Sequence, residues 1–148
     1  MIAKDYVSFE TAKLLRKKGF DLEESYAYTD KGELLRFSDY GIRDFTNKDC
    51  DGYSKWEFPI EGVGSIVSAP TLQSAIQWLK EKGLVVLLDF EVDYDEGENG
   101  CRRYHEPLWY FFVYALSDRH QISDEDVPFE SPEQAYEAGI KYCLDNLI

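Results

Sequence analysis

Residues 89 to 98 of this 148-residue chain, "DFEVDYDEGE", carry six carboxylates and no basic side chain. In a strand, Asp89, Glu91 and Asp93 project from one face about 7 Å apart. Two such carboxylates with water can hold a hard cation such as magnesium. A pair of them can also act as the acid and base of a hydrolysis. The plainer role is a solvated face whose like charges discourage pairing at that edge. Just beyond lies "CRRYHEP", Cys101 to Pro107. Arg102, Arg103 and His105 near a thiol are side chains that bind an anion or support a nucleophile. Cys101 and His105 also have the spacing of one half of a zinc site. The other half is lacking, because Cys50, Cys143 and His120 stand far apart in the sequence. A Cys–His pair also needs an orienting third group, and none is in view. Balancing the neighbouring acids is the simpler work for the two arginines.

A second stretch, "NKDCDGYSKWEF" at 47–58, imitates a calcium-binding loop. Asn47, Asp49 and Asp51 occupy positions one, three and five, with Gly52 at six. Position twelve needs a carboxylate that binds through both oxygens. It is Phe58, and Glu57 falls one residue early. A polar turn at Asp51-Gly52 accounts for these residues better. The chain has no phosphate-binding glycine loop, nucleotide fingerprint, nucleophile elbow or His-Glu-x-x-His helix. No metal and no cofactor is expected. The last functional candidate is Trp78, in "APTLQSAIQWLKEKG" at 69–83. Leu72, Ala75, Ile76 and Leu79 fall on one stripe at helical spacing, with Trp78 at its margin. A ring there either closes the edge of a core or stands partly exposed to anchor a partner.

Three helices and two hairpins must position these side chains. In "SFETAKLLRKKGF" Ser8 is the N-cap, Val7 can staple onto Ala12, and Gly19 ends the helix. Thr11, Ala12, Leu14 and Leu15 make its apolar side. Tyr26 and Tyr28, then Leu35 and Phe37, flank Asp30-Lys31-Gly32-Glu33, which predicts a hairpin. Residues 39 to 68 read as loop, with one short strand near Trp56–Phe58. The helix at 69–83 is capped by Thr71 or by Ser68. "LVVLLDFEVDYDEG" predicts a long strand with Val86, Leu88, Phe90, Val92 and Tyr94 on one face and the acids on the other. "LWYFFVYAL", 108 to 116, is apolar on both faces and pairs antiparallel with it through the loop "EGENGCRRYHEP". The last helix has Ser131 as cap, Pro132 first and Gln134 third. Tyr136, Ile140, Cys143, Leu144 and Leu147 make its buried stripe, and Ala135, Ala138 and Gly139 permit close approach to a sheet. The expectation is one α+β domain over 1–148. It has an antiparallel sheet of about four strands and three helices in the order α-ββ-α-ββ-α, with the helices mainly on one face.

The formal net charge is −13. That argues against direct nucleic-acid binding and against an anionic membrane surface, both of which need a basic face. It allows a basic partner protein, and it also serves solubility. No apolar run is long enough to span a bilayer, and the start has no signal-peptide core. The cysteines number three, an odd count with no close pair, so no disulfide framework is implied. A cytoplasmic protein with reduced thiols is expected.

"YVSFETAKLLRKKGF" at 6–20, "APTLQSAIQWLKE" at 69–81 and "SPEQAYEAGIKYCLDNL" at 131–147 form an ordered set. As a set they resemble small proteins of unknown function carried by phages and mobile elements of Bacteroidetes bacteria. The resemblance implies a phage or mobile-element product of the bacterial cytoplasm and carries over no catalytic residue. The function expected is a non-enzymatic protein-interaction or regulatory module, monomer or homodimer, binding a host or phage protein. Its contact residues come from Asp89, Glu91, Asp93, Arg102, Arg103, His105 and Trp78. In one form Asp89, Glu91, Asp93, Glu96 and Glu98 stand in for phosphates. The alternative is a small-molecule or cation binder, or a weak enzyme, using the acidic face and the Cys101–His105 loop; it requires those groups to converge in a pocket. A third reading buries Trp78, Trp109 or tyrosines between subunits.

Overall fold

The chain's structure, a computed structural model, describes residues 5–41, 46–47, 66–117, 119–122 and 127–148. The helices are α1 (Phe9–Lys17), α2 (Leu72–Glu81) and α3 (Pro132–Asn146). The strands are β1 (Tyr26–Thr29), β2 (Leu34–Arg36), β3 (Ile66–Ser68), β4 (Leu84–Glu91), β5 (Tyr94–Glu96), β6 (Arg102–Tyr104) and β7 (Leu108–Ala115). The fold is α+β, and these strands pair antiparallel throughout.

Each helix begins where a side-chain oxygen accepts a first-turn N–H. Ser8 accepts from Thr11, Thr71 from Ser74, and Ser131 from Gln134. Such a cap contributes about 1 kcal/mol. Thr71, not Ser68, caps α2, and Pro70 lies outside it. The N–H of Ser8 itself donates to Glu137 Oε1 at 2.8 Å, tying the start of α1 to α3. Helix α3 is the hub, packing on β4, β7, α1 and α2. Its Ala135, Gly139, Ile140, Cys143 and Leu144 are buried, while Tyr136 and Leu147 are half-buried at the rim. A Cβ on Gly139 would stand 2.6 Å from Val86 Cγ1, so the missing side chain sets how closely α3 approaches the sheet.

The strands divide into three small sheets, ordered β2-β1-β3, β4-β7 and β5-β6. The first hairpin turns as expected at Gly32, whose φ is +81°. Thr29 Oγ1 accepts from the N–H groups of Lys31 and Glu33 in that turn. Strand β3 lies inside the stretch read as loop; all three of its residues are buried against β1 and α1. The strand expected near Trp56–Phe58 falls outside the described residues, as does most of the calcium-like stretch. Its first position, Asn47, is described and buried. The Asn47 amide donates to Phe20 O at 3.0 Å, and its Oδ1 accepts from Ser68 N at 2.9 Å. Asn47 is therefore a tie between the end of α1 and β3, not an outward-facing ligand.

Trp78 is 2% exposed. Its ring centroid lies 5.8 Å from that of Phe20, which arrives from just after α1, and Lys82 Nζ sits 5.2 Å over the ring. In this fold Trp78 closes the helix core, and the reading of it as an exposed anchor is corrected by that burial.

Strands β4 and β7 pair over eight positions, from Leu84 with Ala115 to Glu91 with Leu108. Leu84, Val86, Phe111 and Val113 form the inner face, buried beneath the helices. The long strand expected from residue 84 onward breaks at Val92 and Asp93. Beyond the break β5 pairs with β6, starting with Tyr94 opposite Tyr104. Two residues, 92 and 93, oppose three, 105 to 107, which is a bulge. The hairpin therefore continues after its alternation has been reset.

Candidate functional site

The β4–β7 hairpin outruns its cover. Leu84 and Val86 are buried and Leu88 is half-buried, but Phe90 is 54% exposed. Every residue from 89 to 106 is exposed. Phe90, Val92 and Tyr94, expected on the core face, instead face solvent, because the helices cover only the near end of the sheet. This extension, an arm of eighteen residues, is held by contacts between its own strands. Phe90 and Trp109 have ring centroids 5.3 Å apart, and Tyr94 and Tyr104 5.7 Å. The Arg102 guanidinium lies 4.6 Å from the centre of the Tyr94 ring. Cross-strand pairs of these kinds contribute about 0.2–1 kcal/mol each. At the tip, Asn99 and Gly100 have φ of 65° and 76°, the left-handed pair of a tight hairpin turn. Gly97 N donates to Cys101 O at 2.7 Å just behind them. The Asn-Gly dipeptide was the signal for β6, which lies in a stretch expected to be loop.

The six carboxylates of residues 89–98 are shared out along the arm. Asp89 Oδ1 accepts from Phe90 N at 2.8 Å, and Glu91 Oε2 accepts from the Tyr110 hydroxyl at 3.2 Å. Asp93 lies in the break, where its carbonyl accepts from His105 N at 2.8 Å. Across the arm Asp95 stands opposite Arg103 and Glu96 opposite Arg102. His105 Nε2 lies 3.0 Å from Asp95 Oδ2. The register thus sets both arginines across from acids, and the histidine pairs with one of them. Exposed pairs of this kind contribute about 0–1 kcal/mol. Asp89, Glu91 and Asp93 do not gather around one point. Among the described residues no group of three or more His, Cys, Asp or Glu is placed to hold a metal ion.

The two described thiols are far apart in character. Cys101 is free and exposed beside the tip, and Cys143 is buried in α3. Burial pushes the Cys143 thiol up to about 12. A groove of about 730 Å³ lies elsewhere, between the starts of α2 and α3, lined by Thr71, Leu72, Ile76, Pro132, Glu133 and Tyr136 among others. None of residues 89–106 lines it. Its ionisable residues include Asp5 and Glu133, both acidic, with no cation or base beside them in the lining.

No protein-family model, curated protein or solved structure matches the chain. The chemistry must be read from the arm. It carries seven carboxylates against two arginines, with the aromatic rings of Phe90, Tyr94 and Tyr104 exposed among them. The exposure of these rings was not legible in the sequence, since the alternation put Phe90 and Tyr94 on the face opposite the acids and left Tyr104 in a loop. No helix among the described residues is long and apolar enough to cross a membrane.

Proposed function

We propose that this chain is a non-enzymatic protein-binding module whose contact element is the hairpin arm, residues 89–106. One observation carries the reading: an ordered two-stranded hairpin extends beyond the helices with every residue exposed. A two-stranded hairpin alone is marginal in water, and this one adds little to the buried core. It spends exposed aromatic rings and a dense acidic charge on a surface. Rings amid charge suit an interface, where aromatic side chains supply contact area and the charges select the partner and speed its approach. The partner has a basic face. The sequence resemblance supplies the setting, a phage or mobile-element product acting on a host or phage protein in the bacterial cytoplasm.

Strict phosphate mimicry is not the form we favour, because Arg102 and Arg103 interrupt the acid row opposite Glu96 and Asp95. The alternative, a small-molecule or cation site or a weak enzyme, draws no support from side chains that face outward from a hairpin.

The test is a photo-crosslinking residue placed at Tyr94 on the arm and, separately, at Lys17 on α1, in cells carrying the gene. The expected result is one defined adduct from position 94 and not from 17. It should weaken at least tenfold in the triple variant Asp93→Asn, Glu98→Gln, Glu106→Gln. An adduct from position 17 alone, or one indifferent to the acid-to-amide changes, would overturn the reading.

A further inference from the structure

Strand β4 has a second edge that no described strand pairs. Leu116 N donates to Gly83 O at 2.9 Å. With the β4–β7 register this makes Gly83, Val85, Leu87, Asp89 and Glu91 the residues that bond across to β7. Leu84, Val86, Leu88 and Phe90 turn their N–H and C=O groups the other way. The same alternation covers the far edge of β7. There Trp109 exchanges bonds with Phe129, Val113 accepts from Ile122, and Ala115 donates to His120. Among the described residues nothing does this for β4: Val86 and Leu88 meet no backbone partner at the open edge. Only Phe90 has its N–H occupied, by the Asp89 carboxylate. A straight eight-residue edge without proline, lysine or bulge is what folded proteins usually avoid leaving open. The sheet face beside it is apolar around Leu87, with Asp89 and Glu91 at its far end. Leu87 is 49% exposed, Leu108 and Leu116 are exposed, and Val85 and Phe112 are half-buried.

We infer that β4 pairs with β4 of a second copy of this chain, antiparallel, about a two-fold axis through Leu87. Self-pairing requires that outward-facing residues meet outward-facing residues. With the axis at Leu87, Val86 meets Leu88 of the partner subunit, and Leu84 meets Phe90 of the partner subunit. Each open donor then finds an acceptor. On the sheet's outer face Leu87 packs beside Leu87 of the partner subunit. Charge selects the same register. The acids of β4, Asp89 and Glu91, sit at one end, and Lys82 lies just before the other, preceded by Lys80 and Glu81 in the last turn of α2. Antiparallel pairing sets Glu91 opposite Gly83 of the partner subunit, beside Lys82 of the partner subunit. Registers that slide acid against acid are repelled. Charge of opposite sign at the two ends of one strand is the pattern that a two-fold, isologous contact satisfies twice. The two hairpins merge into a four-stranded sheet, and the arms extend from opposite ends. This contact shares residues 89–91 with the base of the arm and leaves 92–106 untouched, so sedimentation and crosslinking from position 94 read the two separately.

Sedimentation velocity on the purified full chain, over a hundredfold range of concentration, reads the contact. A reversible monomer–dimer equilibrium is expected. Leu87→Lys, on an exposed side chain that leaves the core alone, should raise the dimer dissociation constant at least tenfold. Lys82→Glu and Glu91→Lys should each weaken the dimer, and the two together should restore it to within about threefold of the original. Amide exchange at Val86 and Leu88 should slow as concentration rises. A monomer at every concentration would overturn the inference, including the case in which the edge takes a strand from a different protein. So would a dimer untouched by Leu87→Lys or a charge swap that restores nothing.

Discussion

The body of this protein and its arm use the same strand grammar for opposite ends. In β4, Val86 and Leu88 alternate with outward-facing neighbours, and α3 lies over them. A few residues on, Phe90 and Tyr94 alternate with acids in the same way, yet solvent lies over them. Nothing in the two patterns distinguishes an inner face from a contact face. The difference is cover, and cover comes from helices that are distant in sequence. Gly139 lets α3 close onto Val86 and Phe111, but none of the described helices extends over the arm. Apolar alternation therefore states that a face seeks a partner; the rest of the chain decides whether that partner is its own helix or another molecule.

The sharpest way to break the comparison is to truncate one aromatic residue on each side. Trp78→Ala removes a ring that is 2% exposed and packed on Phe20. It should destabilise the protein by about 3–5 kcal/mol in urea unfolding. Tyr104→Ala, at a site 62% exposed on the arm, should change stability by less than about 0.5 kcal/mol. Comparable losses at the two positions would mean that the arm shares the core's cohesion.

A smaller effect marks the body by its buried thiol. The folded-state value for Cys143, about 12, lies above the ordinary 9.0, and burial is the main cause. The unfolded chain therefore releases this proton first. The contribution to stability is complete below pH 9 and shrinks as pH rises toward 12, by at most about 1.4 kcal/mol per pH unit. Tyr28 acts in the same direction above pH 10, since burial first and Glu137 second raise it. Unfolding free energies measured from pH 8 to 10.5 should fall with pH, and Cys143→Ala should flatten the part between 9 and 10. A slope unchanged in that variant would place the titration elsewhere.

The parts legible in the sequence were those fixed by local chemistry. Ser8, Thr71 and Ser131 each satisfy a helix start within three residues, so α1, α2 and α3 were readable from their caps. Gly32 announced the first hairpin because its turn needs positive φ. Strand β3 was hidden because three buried residues show no period. The break at Val92 was hidden because one extra residue on the opposite strand, at 105–107, resets the pairing without changing the composition of β4. At the candidate site the membership was legible and the partnership was not. Asp95 meets Arg103 and His105 only through a register that the bulge sets. Trp78 lay at the margin of its own helical stripe; Phe20, more than fifty residues away, is what makes it core.

A small expected change in stability is the one that most sharpens the contrast. Glu91 and Leu108 form a hydrogen-bonded pair in the β4–β7 alternation. An Asn-Gly dipeptide replacing residues 92–107 can therefore join them as a two-residue hairpin turn. That excision removes most of the arm while leaving the body's buried residues in place. Unfolding should stay cooperative, with a stability change under about 1 kcal/mol, since the lost contacts are exposed pairs and the loop that closes β4 to β7 becomes shorter. The excised protein should no longer pull down the partner that crosslinking from position 94 identifies in the full chain. A loss of more than about 3 kcal/mol would show that the extended hairpin helps hold β4 and β7 together, and its acids and rings would then need no partner to explain them. Little loss of stability together with lost binding would leave recognition as the arm's role, because the body folds without it.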